Sequence, residues 1–144
     1  MEIYAADRVQ PRVMGALLFT RVAEGPPGRV HGGVLATALD EAFVWLGLHV
    51  GVGPTAWLDI SLRRAAPLET TLLLMAELER AELARSGSLK VYMRARLYKP
   101  GKGRPGLEAL ATGGDLLCEA TTMLLCPALD SRWQSYVVGR GASL

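Results

Sequence analysis

The spacing of apolar residues predicts one long helix followed directly by a strand. Residues 31–49 carry apolar side chains on almost every side of a helix, and the glycines and proline within 51–54 end it. In residues 55–64 apolar and polar positions alternate, with Trp57 as the exception, which is typical of a half-exposed strand. The hydrophobic period therefore changes from that of a helix to that of a strand at the glycines.

Four further segments are predicted to be strands, at 14–23, 70–84, 89–98 and 114–126. Residues 70–84 are rich in leucine and glutamate and would suit a helix by composition. Pro67 before them and the Ser86-Gly87-Ser88 turn after them favour a strand that forms a hairpin with the next segment. The glycines, prolines and lysines of residues 99–106 predict a loop.

This order of elements indicates an α+β fold, with a curved antiparallel sheet of five to six strands wrapped around one long central helix. A helix that is apolar all round needs cover on every side, so we expect a second copy of the chain to cover the side that the sheet leaves open. The 144 residues suit a single domain, with a core over about 14–126 and a C-terminal tail over 127–144.

Composition and charge narrow the possible function classes. Half of the residues are apolar and the formal net charge is +2, which indicates a globular protein and argues against nucleic-acid binding. The longest apolar stretch, 34–52, is interrupted by Asp40, Glu41 and His49, so we expect a buried helix rather than a membrane span. Residues 1–12 lack the basic and apolar regions of a secretory signal.

The two cysteines predict reduced thiols. Cys118 and Cys126 lie eight residues apart on one predicted strand and its following turn, too far apart to form a disulfide. Two reduced core thiols are typical of a cytoplasmic protein. The sequence has no CxxC motif and no cluster of cysteines and histidines, so no metal site is expected.

The candidate chemistry lies on the predicted helix. His31-Gly32-Gly33 opens it, at the point where backbone N–H groups lack intrahelical acceptors and suit an oxyanion. Asp40 lies within the apolar run, where an ionised carboxylate needs a functional reason. Free amides that bind an oxyanion and a carboxylate in a pocket are the smallest set of groups that acyl transfer needs. The GxSxG motif of serine hydrolases is absent from the sequence.

The distance between these groups predicts a site shared by two chains. The eight residues from Gly32 to Asp40 span about 12 Å along a helix that rises roughly 1.5 Å per residue, so one chain cannot place both groups on one reacting carbon. A twofold dimer with paired helices would supply them from different copies. Gly33, Ala36, Asp40 and Gly47 share one helix stripe where small residues let another backbone approach. We therefore expect an obligate homodimer, with a tetramer of two dimers as the alternative.

These residues resemble the hot-dog-fold acyl-CoA thioesterases, in particular the phenylacetate-degradation-type (PaaI-like) and 4-hydroxybenzoyl-CoA-thioesterase-like branch. The resemblance rests on the helix motif, on the preceding Gly25-Pro26-Pro27-Gly28, and on residues 59–68, which are similar to the family's strand and turn after the helix. It covers roughly residues 14–126. It implies the hot-dog fold and hydrolysis of an acyl- or aryl-CoA thioester to the free acid and coenzyme A, which is part of the substrate rather than a cofactor.

The resemblance also implies roles for single residues. Gly32 matches the glycine whose N–H polarises the thioester carbonyl, and Asp40 matches the catalytic nucleophile or general base. Thr55 matches a serine or threonine position that helps to hold the attacking water. The sequence departs from the family in two places: residues 25–30 lack the asparagine or histidine of many relatives, and Val44 replaces a threonine of the benzoyl-CoA branch.

Several neighbouring residues have two open interpretations. His31 could be a general base, although a structural role at the helix start is favoured, and with Gly33 it is predicted to line the substrate site. Glu41, about 100° around the helix from Asp40, competes for the acid role.

Basic residues after the helix have two interpretations as well. Arg63 and Arg64 could receive the phosphates of coenzyme A or form a solvated basic surface. The same alternatives hold for the loop residues Lys99, Lys102 and Arg104.

The thioesterase hypothesis has two rivals. A hydratase or dehydratase of the same fold needs a closely spaced Asp and His pair, which His31 and His49 do not provide around Asp40. A non-catalytic acyl-CoA-binding protein would bind coenzyme A esters without releasing a thiol.

Overall fold

The computed structural model describes residues 2–6, 11–101 and 113–138, which form one helix packed on one sheet. The helix, α1, spans Gly32–Val50. The strands are β1 (Glu2–Ala6), β2 (Arg12–Leu18), β3 (Thr55–Leu62), β4 (Thr71–Leu83), β5 (Leu89–Lys99), β6 (Asp115–Cys126) and β7 (Val137–Val138). Two short 3-10 helices span Arg21–Ala23 and Ser131–Tyr136.

The strands form one sheet in the order β1-β2-β4-β5-β6-β3, in which all neighbours are antiparallel. The short β7 pairs with β4 in the parallel direction. The five predicted strands correspond to β2 through β6, and β1 and β7 extend the sheet. Because β3 lies at the end of this order, one of its edges has no neighbour within the described chain.

One face of α1 packs on the sheet and the other remains open. The buried residues of the helix recur every three or four positions: Leu35, Leu39, Ala42, Phe43, Leu46, Gly47 and Val50. They belong to the core that β2, β4, β5 and β6 complete, and each large apolar side chain buried there contributes roughly 1.5–3 kcal/mol. The opposite face leaves Val44, Trp45 and Leu48 between 40% and 60% exposed, so the sheet leaves one side of the helix open, as predicted.

Helix α1 is also long and apolar enough to count as a candidate membrane span by length and composition. The prediction that this stretch is too polar for a span therefore does not hold on that criterion. Its packing is that of a core helix, because the sheet covers one complete face of it.

The first predicted strand ends earlier than expected. Strand β2 stops at Leu18, and Arg21–Ala23 form a 3-10 turn instead of continuing the strand to residue 23. The amide of Ala23 donates to the carbonyl of Thr20 at 2.9 Å, which closes this turn and leaves Val22 96% exposed. The other strand boundaries lie within two residues of the prediction, and the turn at Gly87 adopts a positive φ of 84°.

The core continues beyond residue 126 into the predicted tail. Leu129 and Trp133 are buried, and the indole Nε1 of Trp133 donates to the carbonyl of His49 at 3.1 Å. The amide of Asp130 donates to the carbonyl of Val50 at 2.8 Å. Residues 129–133 therefore close the C-terminal end of α1, whereas residues 139–144 of the predicted tail lie outside the described part.

Both cysteines are buried and unbridged, as predicted. Burial raises the pKa of the Cys118 thiol to about 11 and also raises the pKa of Cys126. The thiol of Cys126 donates to the carbonyl of Gly51 at 3.3 Å. Neither thiol has the lowered pKa of a reactive cysteine.

Candidate active site

The first turn of α1 leaves one amide free. His31 is the N-cap, and its Nδ1 accepts the Gly33 amide at 3.0 Å. The amides of Val34 and Leu35 donate to the carbonyl of His31 at 3.0 and 3.2 Å. Of the first four residues of α1, 32–35, only Gly32 has no acceptor for its N–H within the described residues. This N–H is the donor that the sequence motif predicts for an oxyanion.

The loop before α1 fixes the backbone of His31. The amide of His31 donates to the carbonyl of Ala23 at 2.8 Å, and the amide of Val30 donates to the carbonyl of Ala66 at 3.0 Å. At Gly25 a Cβ atom would lie 2.8 Å from Cα of His31, so the loop fits only with a glycine there. The helix start is therefore held by two segments, the 3-10 turn that ends at Ala23 and the loop after β3 that contains Ala66.

Strand β3 runs back along the helix, so its end lies at the helix start. A Cβ atom at Gly32 would meet only Cδ1 of Leu62, at 3.2 Å. Because Leu62 is the last residue of β3, Thr55 at the beginning of β3 lies near the far end of a 19-residue helix about 28 Å long. Gly32 and Thr55 of one chain therefore cannot belong to the same site.

Asp40 lies at the boundary between the buried and the open face of α1. It is half-buried, next to buried Leu39 and one turn before exposed Val44. Among the residues that the structure describes, none forms a hydrogen bond or ion pair with its carboxylate. Nothing in the described chain therefore neutralises this carboxylate, which is available to a ligand or to a second copy.

A β-bulge turns Thr55 toward the helix side of the sheet. The register between β3 and β6 shifts between Thr55 and Trp57, so Thr55 pairs with Leu124 and Trp57 with Met123. Leu124 is a buried core residue, and directly paired residues of neighbouring strands lie on the same face. With regular alternation Thr55 would share the outer face with Trp57. Bulges of this kind redirect side chains and are common near active sites.

The bulge is supported from within the core. Thr122 has no exposed surface, and its Oγ1 donates to the carbonyl of Trp57 at 2.7 Å. This bond satisfies the carbonyl at the point where the ladder is irregular. Sequence analysis did not identify Thr122, since no local pattern marks a partner 65 residues away.

The predicted phosphate-binding arginines already have acidic partners. Arg63 lies 3.5 Å from Glu119, and Arg64 lies 2.7 Å from Asp115, with both arginine side chains more than half exposed. Glu119 also accepts from Arg96 at 2.8 Å, and this hydrogen bond holds the pKa of Glu119 below its usual value. A phosphate at Arg63 or Arg64 would therefore compete with a carboxylate.

Two loop cations of the prediction, Lys102 and Arg104, lie outside the described residues. Lys99, the third, is exposed at the end of β5.

Glu41, the competitor for the acid role, lies on a different side of α1 from Asp40. Its side chain borders a groove of about 440 Å³ between the helix and the end of β2. The other lining residues are mostly apolar: Leu17, Leu18, Phe19, Val34, Thr37 and Ala38. Asp40 does not line this groove, so the carboxylates of Asp40 and Glu41 lie on different surfaces of the helix.

No protein-family model matches the chain. Solved structures that match it include the thioesterase superfamily protein RHA08564, at 25% identity and a TM-score of 0.57 over 80% of this chain and 49% of that one. The chain thus spans about half the length of that protein. A phenylacetic acid degradation-related protein from Ralstonia eutropha JMP134 matches at 24% identity and a TM-score of 0.62, over 85% of this chain and 82% of that one.

A third structure, smu.793 from Streptococcus mutans UA159, was determined bound to acetyl CoA. It matches at 13% identity and a TM-score of 0.66, over 90% of both chains. The structural neighbours of this chain thus include thioesterase superfamily proteins, and its sheet and helix have the hot-dog fold, as predicted. The roles of Asp40, Gly32, Thr55, His31, Gly33 and the two arginines stay predictions.

Proposed function

We propose that the chain is an acyl-CoA thioesterase that hydrolyses an acyl- or aryl-CoA thioester to the free acid and coenzyme A. The observation that carries this proposal is that two groups on the central helix, the N–H of Gly32 and the carboxylate of Asp40, have no partner among the described residues. The acetyl CoA bound to a protein of the same fold supports the ligand class.

The amide of Gly32 donates to the thioester carbonyl and stabilises the oxyanion that forms as the carbonyl carbon becomes tetrahedral. Asp40 acts in one of two ways. As a nucleophile it forms an acyl anhydride and releases coenzyme A as the thiolate, and water then cleaves the anhydride. As a general base it takes a proton from water, whose oxygen attacks the carbonyl carbon; the tetrahedral intermediate then collapses, the C–S bond breaks, and coenzyme A leaves as the thiolate, which takes up the proton. The Thr55 hydroxyl comes from the copy that supplies Asp40, since Gly32 and Thr55 of one chain cannot share a site, and it positions this water. The reaction uses no metal or further cofactor.

Two copies complete each site in this proposal. Because Gly32 and Asp40 of one chain are about 12 Å apart along the helix, the amide comes from one copy and the carboxylate from the other. The open edge of β3 and exposed apolar residues on α1 and the helix side of β3, among them Leu48 and Leu62, offer a surface for a twofold contact. We infer a homodimer, with a tetramer as the alternative, in the cytoplasm.

Thiol release from a panel of short-chain, long-chain and aryl CoA thioesters tests the proposal. We expect hydrolysis by the wild type and less than about a tenth of it in Asp40→Asn, because the amide is a far weaker nucleophile and base. Glu41→Gln is the matched variant, one position along and on another surface, and is expected to keep most activity. Because the thiols of Cys118 and Cys126 are buried, we expect them not to contribute to the thiol signal of the assay.

The other outcomes assign different roles. If Glu41→Gln loses hydrolysis and Asp40→Asn keeps it, Glu41 and not Asp40 is the catalytic carboxylate. A folded protein that binds CoA esters saturably and releases no thiol from any of them would be a binding protein, which the absence of Asn and His from residues 25–30 favours.

A further inference from the structure

The hydrogen bond from Gly33 to His31 determines which amides a ligand can reach at the helix start. Gly32 and Gly33 are adjacent, and both amides lie in the first turn, where no earlier carbonyl can accept them. The Gly33 amide is engaged by Nδ1 of His31 at 3.0 Å, whereas the Gly32 amide has no acceptor in the described chain. The imidazole therefore reduces two adjacent donors to one.

The His31 side chain is placed for this task by its surroundings. Its backbone N–H is bound to Ala23, and Gly25 packs directly against its Cα. Its ring lies over Gly33, where a Cβ atom would meet Nδ1 at 3.1 Å and Cε1 at 3.3 Å. An acceptor Nδ1 carries a lone pair, so the proton of a neutral imidazole is on Nε2.

We propose that His31 is a positioning residue: by accepting the Gly33 amide it selects Gly32 N–H as the single oxyanion donor and fixes its direction. This inference rests on the proposed function, and it assigns His31 no proton transfer. Without the acceptor, the carbonyl oxygen could bind at either amide, and a displacement of about 1 Å from the reactive geometry costs on the order of a hundredfold in rate.

Substitution of His31 by Asn or by Leu distinguishes its role as acceptor of the Gly33 amide from any other role of the imidazole ring. Asn places Oδ1 at the same position along the side chain as Nδ1 and is a favoured N-cap, whereas Leu places a methyl group there that cannot accept. We expect His31→Leu to lower kcat about 10- to 100-fold with KM changed less than about threefold, because the loss concerns the transition state. We expect His31→Asn to restore kcat to within about threefold of wild type.

Equal loss of kcat in both variants would overturn the proposal, because the ring itself would then act on the substrate. Wild-type kcat in a folded His31→Leu variant would overturn it as well. Circular dichroism and the thermal midpoint of each variant show whether the fold is intact.

Backbone-amide NMR gives a readout that does not need turnover. With a non-hydrolysable CoA thioether analogue, we expect the Gly32 amide resonance alone to move in the wild type, and both glycine amides to move in His31→Leu. A long-range ¹⁵N–¹H spectrum is expected to show His31 unprotonated at Nδ1. If the wild type hydrolyses no ester, the proposed function fails, and these spectra still decide the inference: equal responses of Gly32 and Gly33 in the wild type overturn it.

Discussion

Gly32→Pro removes the proposed oxyanion donor without removing a hydrogen bond from the fold. Gly32 is the first residue of α1, and its N–H has no acceptor in the described residues. Proline is favoured at this position of a helix. The preceding residue, His31, already has φ −64° and ψ 135°, the extended conformation that proline requires of its predecessor. We therefore expect the variant to fold with a thermal midpoint equal to or above that of the wild type.

Activity is expected to fall steeply. Loss of one oxyanion donor lowers kcat by about 10²–10³-fold, which corresponds to roughly 2.7–4 kcal/mol of transition-state stabilisation. The assay is thiol release at saturating CoA ester. Gly32→Ala is the matched control, because it keeps the N–H and its Cβ meets only the flexible Cδ1 of Leu62, at 3.2 Å. A folded proline variant with more than about a third of the wild-type kcat would refute the oxyanion role.

Mixing two inactive variants tests whether the site is shared between chains. If Gly32 of one copy acts with Asp40 of another, a dimer of Gly32→Pro with Asp40→Asn has one site with both lesions and one intact site. Random exchange of subunits then restores about a quarter of wild-type activity, since about half of the dimers are mixed and each has one of two sites intact. No recovery after verified subunit exchange would rule out the shared site.

Three further changes test the support of the site and the fold. Thr122→Val leaves the carbonyl of Trp57 without the donor that Thr122 supplies, so we expect a loss of about 1–3 kcal/mol in urea unfolding and a lower kcat through Thr55. Gly53→Ala would place a Cβ atom onto the carbonyl oxygen of Leu125, and we expect a loss of about 3 kcal/mol or more, or failure to fold. The Arg132 guanidinium lowers the pKa of Asp130 from 3.8 to about 2, so the ionised form stabilises the fold above the higher value and this stabilisation disappears as the pH falls toward the lower one. Thermal midpoints between these pH values should therefore decline more steeply in the wild type than in Asp130→Asn, and parallel curves would contradict this assignment.

The helix and the strands could be predicted because their signal is local. The apolar pattern and flanking glycines give α1 to within one residue, and the alternation gives β3 to within two. Prediction failed where distant contacts decide the path. Phe19, Val22 and Ala23 continue the apolar pattern of β2, yet the chain turns at Arg21–Ala23 to reach the helix start. Trp133 is one of two aromatic residues in the predicted tail, whose sequence has no regular apolar pattern, and its contact with the end of α1 makes it part of the core.

The candidate site shows the same division. Gly32 and Asp40 could be found from their spacing, since the helix alone fixes their separation. The direction of Thr55 could not, because the bulge exists only in the pairing of β3 with β6. The ion pairs of Arg63 and Arg64 likewise depend on carboxylates that lie more than fifty residues later in the chain.

The two ends of α1 also differ in when they can be completed during synthesis. The start is bound by residues made just before it, from Ala23 to His31, and by the carbonyl of Ala66, made 16 residues after the end of the helix. At the other end, the carbonyls of His49 and Val50 receive their donors from Trp133 and Asp130, and the indole follows its acceptor by 84 residues. On the ribosome the helix that carries Asp40 therefore leaves the exit tunnel early, yet its last turn lacks these two donors until residues 130–133 have also left the tunnel. The C-terminal end of the helix, and therefore the complete site, forms late in synthesis.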